Sequence, residues 1–272
     1  MATWTVEEIL ANGIRLHVER TGGAKPPLVL LHGLTDDGRC WAPIADAFTD
    51  AFEVVTIDTR GHGRSDAPAD GYRLEVIAAD VVAVIAALGL ERPVILGHSM
   101  GAVTALALAG LHPEVPARIL LEDPPPLWLH EGPVPTDVAL SRSVAEGVAS
   151  VKRLSRDELR LEVTSQNPTW AAAELEPWIE SKLRFSLNAV ALATPAYLAS
   201  IDFRGVLRRI TCPVLVVHGD AARGSMPAPA DLEVLRGLVP QLEVVHVPGA
   251  GHNIRRDQPL RYITIVREAL GA

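Results

Sequence analysis

Only two cysteines, Cys40 and Cys212, occur in 272 residues. They lie far apart and form no paired spacing, which excludes a disulfide framework as the source of stability. Both are read as reduced, partly buried thiols. Basic residues are also few: 25 Lys and Arg stand against 33 Asp and Glu, a formal net charge of −8. Phosphate binding needs clustered Lys and Arg, so nucleic acid is excluded as a partner. No run approaches the roughly 18 apolar residues of a membrane span. The first residues, Met1-Ala-Thr-Trp-Thr-Val-Glu-Glu, lack the basic and apolar regions of a secretory signal. The expectation is a cytoplasmic protein with no membrane association. Metal-ligand spacings and nucleotide-binding loops are missing too, so no cofactor and no metal are expected.

What the chain has in quantity is apolar sequence, 48% against 21% charged, enough for a substantial core. Its length suits one α/β domain with a sizeable insertion, or two small domains. Val6–Ala11 and Ile14–Arg20 alternate like strands around Asn12-Gly13, a strong hairpin signal. Pro27–Leu31 is a short, continuous apolar run of the kind buried on both faces of a parallel sheet. Trp41–Phe48 reads as a short helix and Glu53–Asp58 as a strand. Then come a helix over Leu74–Leu88, a strand over Pro93–Gly97, a helix over Met100–Leu111 and a strand over Ala117–Leu121. Such alternation predicts a mostly parallel sheet with helices on both faces.

Beyond Pro124 the alternation stops. Up to Ile201 the pattern is helical only, over Thr136–Leu154, Arg156–Gln166, Trp170–Leu187 and Ala189–Ala199. It resumes with a strand over Val214–Gly219, a helix over Pro229–Leu238, a strand over Leu242–Val247 and a helix over Gln258–Leu270. The helical block interrupts a sheet, so 124–201 reads as an inserted cap on a core formed by 1–123 and 202–272. The cleft beneath a cap is the natural substrate site.

Gly97-His98-Ser99-Met100-Gly101 fits G-x-S-x-G between an apolar strand and an apolar helix. That context is the strand–turn–helix of a nucleophile elbow, in which side chains at the two glycine positions would clash. Serine needs a base, and His252 in Pro248-Gly-Ala-Gly-His252, just after the last strand, is the candidate among nine histidines. His17, His112, His130 and His246 have no such setting and read as surface or packing residues. His98 is expected to pack or hydrogen-bond within the elbow, His62 to be structural, His218 to line the pocket, and His32 to order its loop. The oxyanion hole needs two backbone donors. Met100, next after the nucleophile, supplies one; Leu34, in the loop after the third strand, supplies the other.

His32-Gly33, Asp58-x-Arg60-Gly61-x-Gly63-x-Ser65, Gly97-x-Ser99-x-Gly101 and Gly249-x-Gly251-His252 together resemble the α/β-hydrolase superfamily over nearly the whole chain. The resemblance is closest to its capped esterase, lactonase, C–C hydrolase and haloperoxidase-like branch. It implies an eight-stranded, mostly parallel sheet, and a structural role for the Asp58–Ser65 loop. In most of that family the triad acid follows strand seven in a G-x-x-D pattern. Here the stretch is Gly219-Asp220-Ala221-Ala222, with alanine at the expected position. A second location, after strand six, is shared with lactone hydrolases that cleave the macrocycle of zearalenone, and here it is occupied by Asp123. Asp123 is the leading candidate, Asp220 the alternative, and Glu122 the third. Alternation along a strand puts Glu122 and Asp123 on opposite sides, so only one of them faces the site.

The expected chemistry is a two-step acyl transfer from Ser99 that cleaves a small-molecule carboxylic ester or lactone. Serine at 99 argues against the haloalkane dehalogenases and epoxide hydrolases of this fold, which use aspartate there. Trp128, Trp170 and Trp178, with Phe185 and Tyr197, point to an apolar substrate pocket; the competing expectation is that they pack the cap's own core. A C–C bond hydrolase is the alternative enzyme, weakly supported by Arg184, and a hydrolase-like receptor for a small ligand is the alternative outside catalysis. A homodimer is left open.

Overall fold

In a computed structural model, which describes residues 3–129, 138–193, 197 and 201–272, eight strands form one sheet in the order β1-β2-β4-β3-β5-β6-β7-β8. They are β1 (Thr5–Ala11), β2 (Ile14–Arg20), β3 (Pro27–Leu31), β4 (Glu53–Ile57), β5 (Val94–His98), β6 (Arg118–Glu122), β7 (Val214–His218) and β8 (Leu242–His246). β2 runs antiparallel to both β1 and β4, and every pairing from β4 to β8 is parallel. Asn12 and Gly13 close the first hairpin with φ of 48° and 77°. Such a pair of left-handed residues gives the turn whose twist matches that of its strands.

The central strands are buried on both faces, and their alternation sorts one core from the other. Val29 and Leu31 of β3 point into a core shared with α2 (Leu74–Ala87), α3 (Met100–Leu111) and α8 (Pro229–Leu238). Leu28 and Leu30 point to the opposite face, against Trp41, Ile44 and Phe48 and against Tyr262 and Val266 of α10 (Pro259–Leu270). α3 is apolar all round because it is enclosed all round: Met100 to Gly110 are buried without exception.

The region expected as one helix from Trp41 to Phe48 is a single α-helical turn, α1 (Ala42–Ala45), between two 3₁₀ turns. Pro43, which lacks an N–H, sits in its first turn. α7 (Phe203–Leu207) and α9 (Ile254–Asp257) were not expected; each is too short to show a periodicity, and α7 rests on Asp202, whose carboxylate accepts from the Gly205 N–H at 3.0 Å.

Between β6 and β7, which pair directly, lie α4 (Val138–Val151), α5 (Arg156–Gln166) and α6 (Ala172–Arg184). α5 begins with a capping box between Ser155 and Glu158. α6 starts two residues after the expected Trp170, because Trp170 closes a turn with Asn167 (3.1 Å). The last expected helix of this region is a 3₁₀ stretch, Leu187–Ala193, and the rest of Ala189–Ala199 apart from Tyr197 lies outside the described residues. So do His130 and the start of Thr136–Leu154. Leu159, Val163, Trp170 and Ile179 make a small core of their own, with Trp178 against it. Cys40 and Cys212 are free and buried.

The elbow follows from two absent side chains. A Cβ on Gly97 would lie 2.3 Å from the Gly101 carbonyl oxygen, and one on Gly101 would lie 2.2 Å from that of Leu31. Both obstacles are backbone, which cannot rotate away. Gly101→Ala is expected to destabilise the protein by about 3 kcal/mol or more, at the upper end of overpacking costs, because strand and helix must separate. Urea denaturation checks this: an unchanged midpoint would mean that the helix is not held so close.

Candidate active site

Ser99 stands at the C-terminal end of β5 with φ 52° and ψ −114°, a backbone conformation rarely adopted by a residue with a side chain. Its N–H is held by the Glu122 carbonyl (2.9 Å), and its own carbonyl accepts from Ala102 and Val103 as α3 begins. The hydroxyl therefore sits on a fixed corner between strand and helix.

His252 follows β8. Its Nδ1–H donates to Asp123 Oδ2 at 2.5 Å. A carboxylate can only accept, so the neutral ring carries its proton on Nδ1 and keeps the Nε2 lone pair available as a base. Asp123 is fully buried and has φ 47°, uncommon for a residue with a side chain. The turn sends its carboxylate to His252 while Glu122, one residue earlier, goes elsewhere. Glu122 accepts from the Arg255 N–H (2.9 Å) and from its guanidinium (3.0 Å). Asp220 is engaged in its own loop, accepting from His246 Nε2 (2.7 Å) and from the Gly249 N–H (2.7 Å). Of the three carboxylates read from the sequence, the structure thus brings Asp123 to His252 and does not bring Asp220 or Glu122.

The Asp123 carboxylate has two further donors, the Ser225 hydroxyl and the Met226 N–H (2.9 Å). Neither was singled out from sequence, since Gly224-Ser225-Met226 matches no motif. His98 reaches beyond the elbow: its Nε2–H donates to the His252 carbonyl at 3.0 Å, and burial holds its pKa well below the usual histidine value. A neutral His98 can therefore hold the backbone of His252 without placing a charge beside it.

The loop after β3 carries Leu34, whose N–H, like that of Met100, donates to no described group. Met100 is the first residue of α3, where N–H groups have no partner within the helix. His32 braces this loop. The Thr59 N–H donates to its Nε2 (3.0 Å), so its Nδ1–H donates to the Gly33 carbonyl (2.8 Å). The Asp58–Ser65 loop is structural in the same sense. Asp58 accepts from the Gly38 N–H (2.7 Å) and the Arg64 N–H (2.8 Å), and Arg60 forks onto Asp80.

Beneath these loops lies a buried ionic cluster that the sequence did not reveal. Asp36 binds Lys182 of α6 (2.7 Å) and the guanidinium groups of Arg255 (3.2 Å) and Arg256 (2.9 Å). Arg256 also binds Glu174 of α6 (3.2 Å). With Glu122, which binds Arg255, three acids and three bases balance, and Asp36 is held well below the usual carboxylate range by Arg256, Lys182 and Arg255 against the opposing effect of burial. The cluster fastens α6 to both the Leu34 loop and the His252 loop. Asp37 beside it meets Arg184 at 3.5 Å, where Asp36 meets three cations. Burial, then the charges of Asp58 and Asp36, push its carboxyl up to about 6. A carboxyl raised in the folded state binds more protons folded than unfolded, so stability falls as pH rises from the ordinary value of 3.8 to about 6. Asp37→Asn, which keeps the cap on the Arg39 N–H, is therefore expected to raise the melting temperature at pH 7.5 and to leave it unchanged near pH 3.5. A thermal scan at the two pH values checks this.

Each of the three tryptophans expected to line a pocket has a partner within the fold. Trp128 is fully buried and donates to the Asp231 carbonyl of α8 (2.7 Å). Trp170 donates to Asp257 (2.9 Å) and lies under Arg256, and Trp178 lies under Lys182. The ring N–H groups of Trp128 and Trp170 are thus engaged within the fold, and Trp178 is half-buried beside Lys182. Phe185 is buried against His62 (ring centroids 5.1 Å apart). His218 stacks on His246 and lines a cleft of about 530 Å³ with Asp220. Ser99 and His252 do not line that cleft. Among the described residues no group of His, Cys, Asp and Glu could hold a metal ion, and no helix is long and apolar enough to cross a membrane.

A family model described as an alpha/beta hydrolase fold matches residues 26–255. The N-formylmaleamate deformylase of Pseudomonas putida is 30% identical over 254 residues, which cover 92% of this chain and 90% of that protein. The 2-(acetamidomethylene)succinate hydrolase of Mesorhizobium japonicum is 26% identical, over 88% and 86%. The crystal structure of an N-formylmaleamic acid deformylase from Pseudomonas putida S16 superimposes with a TM-score of 0.76 at 29% identity, covering 96% of this chain and all of that one.

Proposed function

This chain belongs to the alpha/beta hydrolase family, and from that premise we propose that it is a serine hydrolase that cleaves a carboxylic ester or lactone through an acyl-enzyme on Ser99. The observation that carries the reading is the 2.5 Å hydrogen bond from His252 to Asp123, together with a serine on a strained elbow whose neighbour, His98, donates to the His252 carbonyl. Ser99 attacks the substrate carbonyl as His252 Nε2 takes its proton. The Leu34 and Met100 N–H groups receive the developing oxyanion. His252 then protonates the leaving oxygen, and water activated by the same ring releases the acid. Asp123 holds the ring in its tautomer and stabilises its positive charge. Residues 124–201 act as the cap over this centre, and the leaving group departs beneath it.

Epoxide hydrolases also occur among the relatives. Opening an epoxide through a serine would leave an alkyl ether, which water does not cleave, whereas a carboxylate nucleophile leaves a hydrolysable ester. Ser99 therefore favours a carbonyl substrate. A second reading within the same chemistry is hydrolysis of an N-acyl bond, favoured by the names of the two relatives above; His252 would then protonate a leaving nitrogen. A panel of p-nitrophenyl esters, lactones and N-formyl amides tests the proposal. Ester or lactone turnover with a burst of p-nitrophenol supports it. Turnover of the amides alone transfers the reading to N-acyl hydrolysis, and no turnover across the panel by the folded protein overturns both.

A further inference from the structure

The loop after β7 is where most of the resembling family keeps its acid, and here Ala222 occupies that place. The loop nevertheless reaches the His252 partner. The Gly219 N–H donates to Ser225 Oγ at 3.1 Å. The single hydroxyl proton of Ser225 is thereby directed away from Gly219 and onto Asp123 Oδ1. The Met226 N–H takes Oδ2, the oxygen that also accepts from His252. Ser225 is itself buried, as is Asp123.

We propose that Ser225 is a positioning residue for the Asp123–His252 pair, so that the loop after β7 orients an acid carried just after β6. This rests on the hydrolase reading above for its kinetic consequences, but not for its geometry. The donors converge on Asp123: the Gly219 N–H donates to Ser225, and the Ser225 O–H and the His252 Nδ1–H each donate to the carboxylate. A carboxylate at the end of a left-handed turn has free rotation about its own Cβ–Cγ bond. The backbone donor at Met226 fixes one oxygen and Ser225 fixes the other, which sets the plane of the carboxylate toward His252 Nδ1. Losing the Ser225 donor lets that plane turn, and the histidine then presents Nε2 to Ser99 less often in the reactive orientation.

The test compares wild type, Ser225→Ala and Ser225→Thr in two measurements. The first is the low-field proton resonance of His252 Nδ1 in ¹⁵N-histidine-labelled protein, assigned by its loss in His252→Gln. In Ser225→Ala it should broaden or move upfield, and in Ser225→Thr it should stay. The second is ester hydrolysis: Ser225→Ala should lower kcat by about 10- to 100-fold, the scale of a misoriented reacting group, with KM nearly unchanged, and Ser225→Thr should recover most of it. If Ser225→Ala fails to fold, Ser225→Cys, with a weak donor of similar size, is read in the same way. A wild-type resonance and wild-type kcat in the folded variant lacking the hydroxyl would overturn the proposal. The resonance reports on Ser225 even if the wild type turns over no ester, so a failure of the hydrolase reading is seen separately, in the substrate panel.

Discussion

Asp123→Asn lowers kcat/KM for an ester by about 10⁴-fold, whereas Asp220→Asn leaves it within about twofold, the contrast expected when one carboxylate holds the catalytic tautomer and the other does not. The difference lies in what each carboxylate touches. Asp123 accepts from His252 Nδ1 at 2.5 Å. An asparagine there presents either an amide N–H, which repels Nδ1–H, or a neutral oxygen, which cannot stabilise an imidazolium. Asp220 binds His246 and the Gly249 N–H, so its replacement loosens the turn after β8 and acts through stability. Kinetics of the two variants, with circular dichroism to confirm folding, give the answer. A large loss in Asp220→Asn with a normal Asp123→Asn would return the acid to the loop after β7.

Ser99→Ala is the second large effect. A serine and the histidine that activates it act as a unit, and losing either costs on the order of 10⁶-fold in kcat. His252→Ala is therefore expected to match it rather than add to it in the double variant. The fold has little stake in the hydroxyl. The strain at φ 52° is a backbone property that alanine shares with serine, and the N–H and carbonyl bonds of residue 99 do not involve the side chain. The variant should unfold at nearly the wild-type temperature while losing its activity. Residual ester hydrolysis at more than a few per cent of wild type would assign the nucleophile elsewhere.

The strands were legible because each central one is a short apolar run bounded by polar or glycine-rich turns, and both its faces are buried, so every residue carries the same message. The hairpin of β1 and β2 was legible for a different reason, the Asn12-Gly13 turn. Ser99, with Gly97 and Gly101 on either side, was legible because its conformation leaves no room for side chains beside it. The partner of His252 was not. Alternation separates Glu122 from Asp123 but cannot say which faces the histidine, since that is decided by a left-handed turn and by a loop 129 residues away. Asp220 kept a plausible claim from its position alone.

The tryptophans mark the same boundary from the other side. Composition says that Trp128, Trp170 and Trp178 are large and apolar. It does not say that an Arg, a Lys or a carbonyl will occupy their faces and N–H groups. The ionic cluster around Asp36 was hidden altogether, because its members are drawn together across 220 residues of chain and none sits in a motif. Its effect is nonetheless central to the site, for it ties α6 to the loops that carry Leu34 and His252.

The most direct test of the account is covalent labelling by a fluorophosphonate, followed by intact-mass measurement and peptide mapping. A serine activated by His252 through Asp123 predicts one adduct per chain, on Ser99, formed much more slowly in Asp123→Asn and at an undiminished rate in Asp220→Asn. An adduct on another residue, no adduct on the folded wild type, or an Asp123→Asn rate equal to wild type would contradict it.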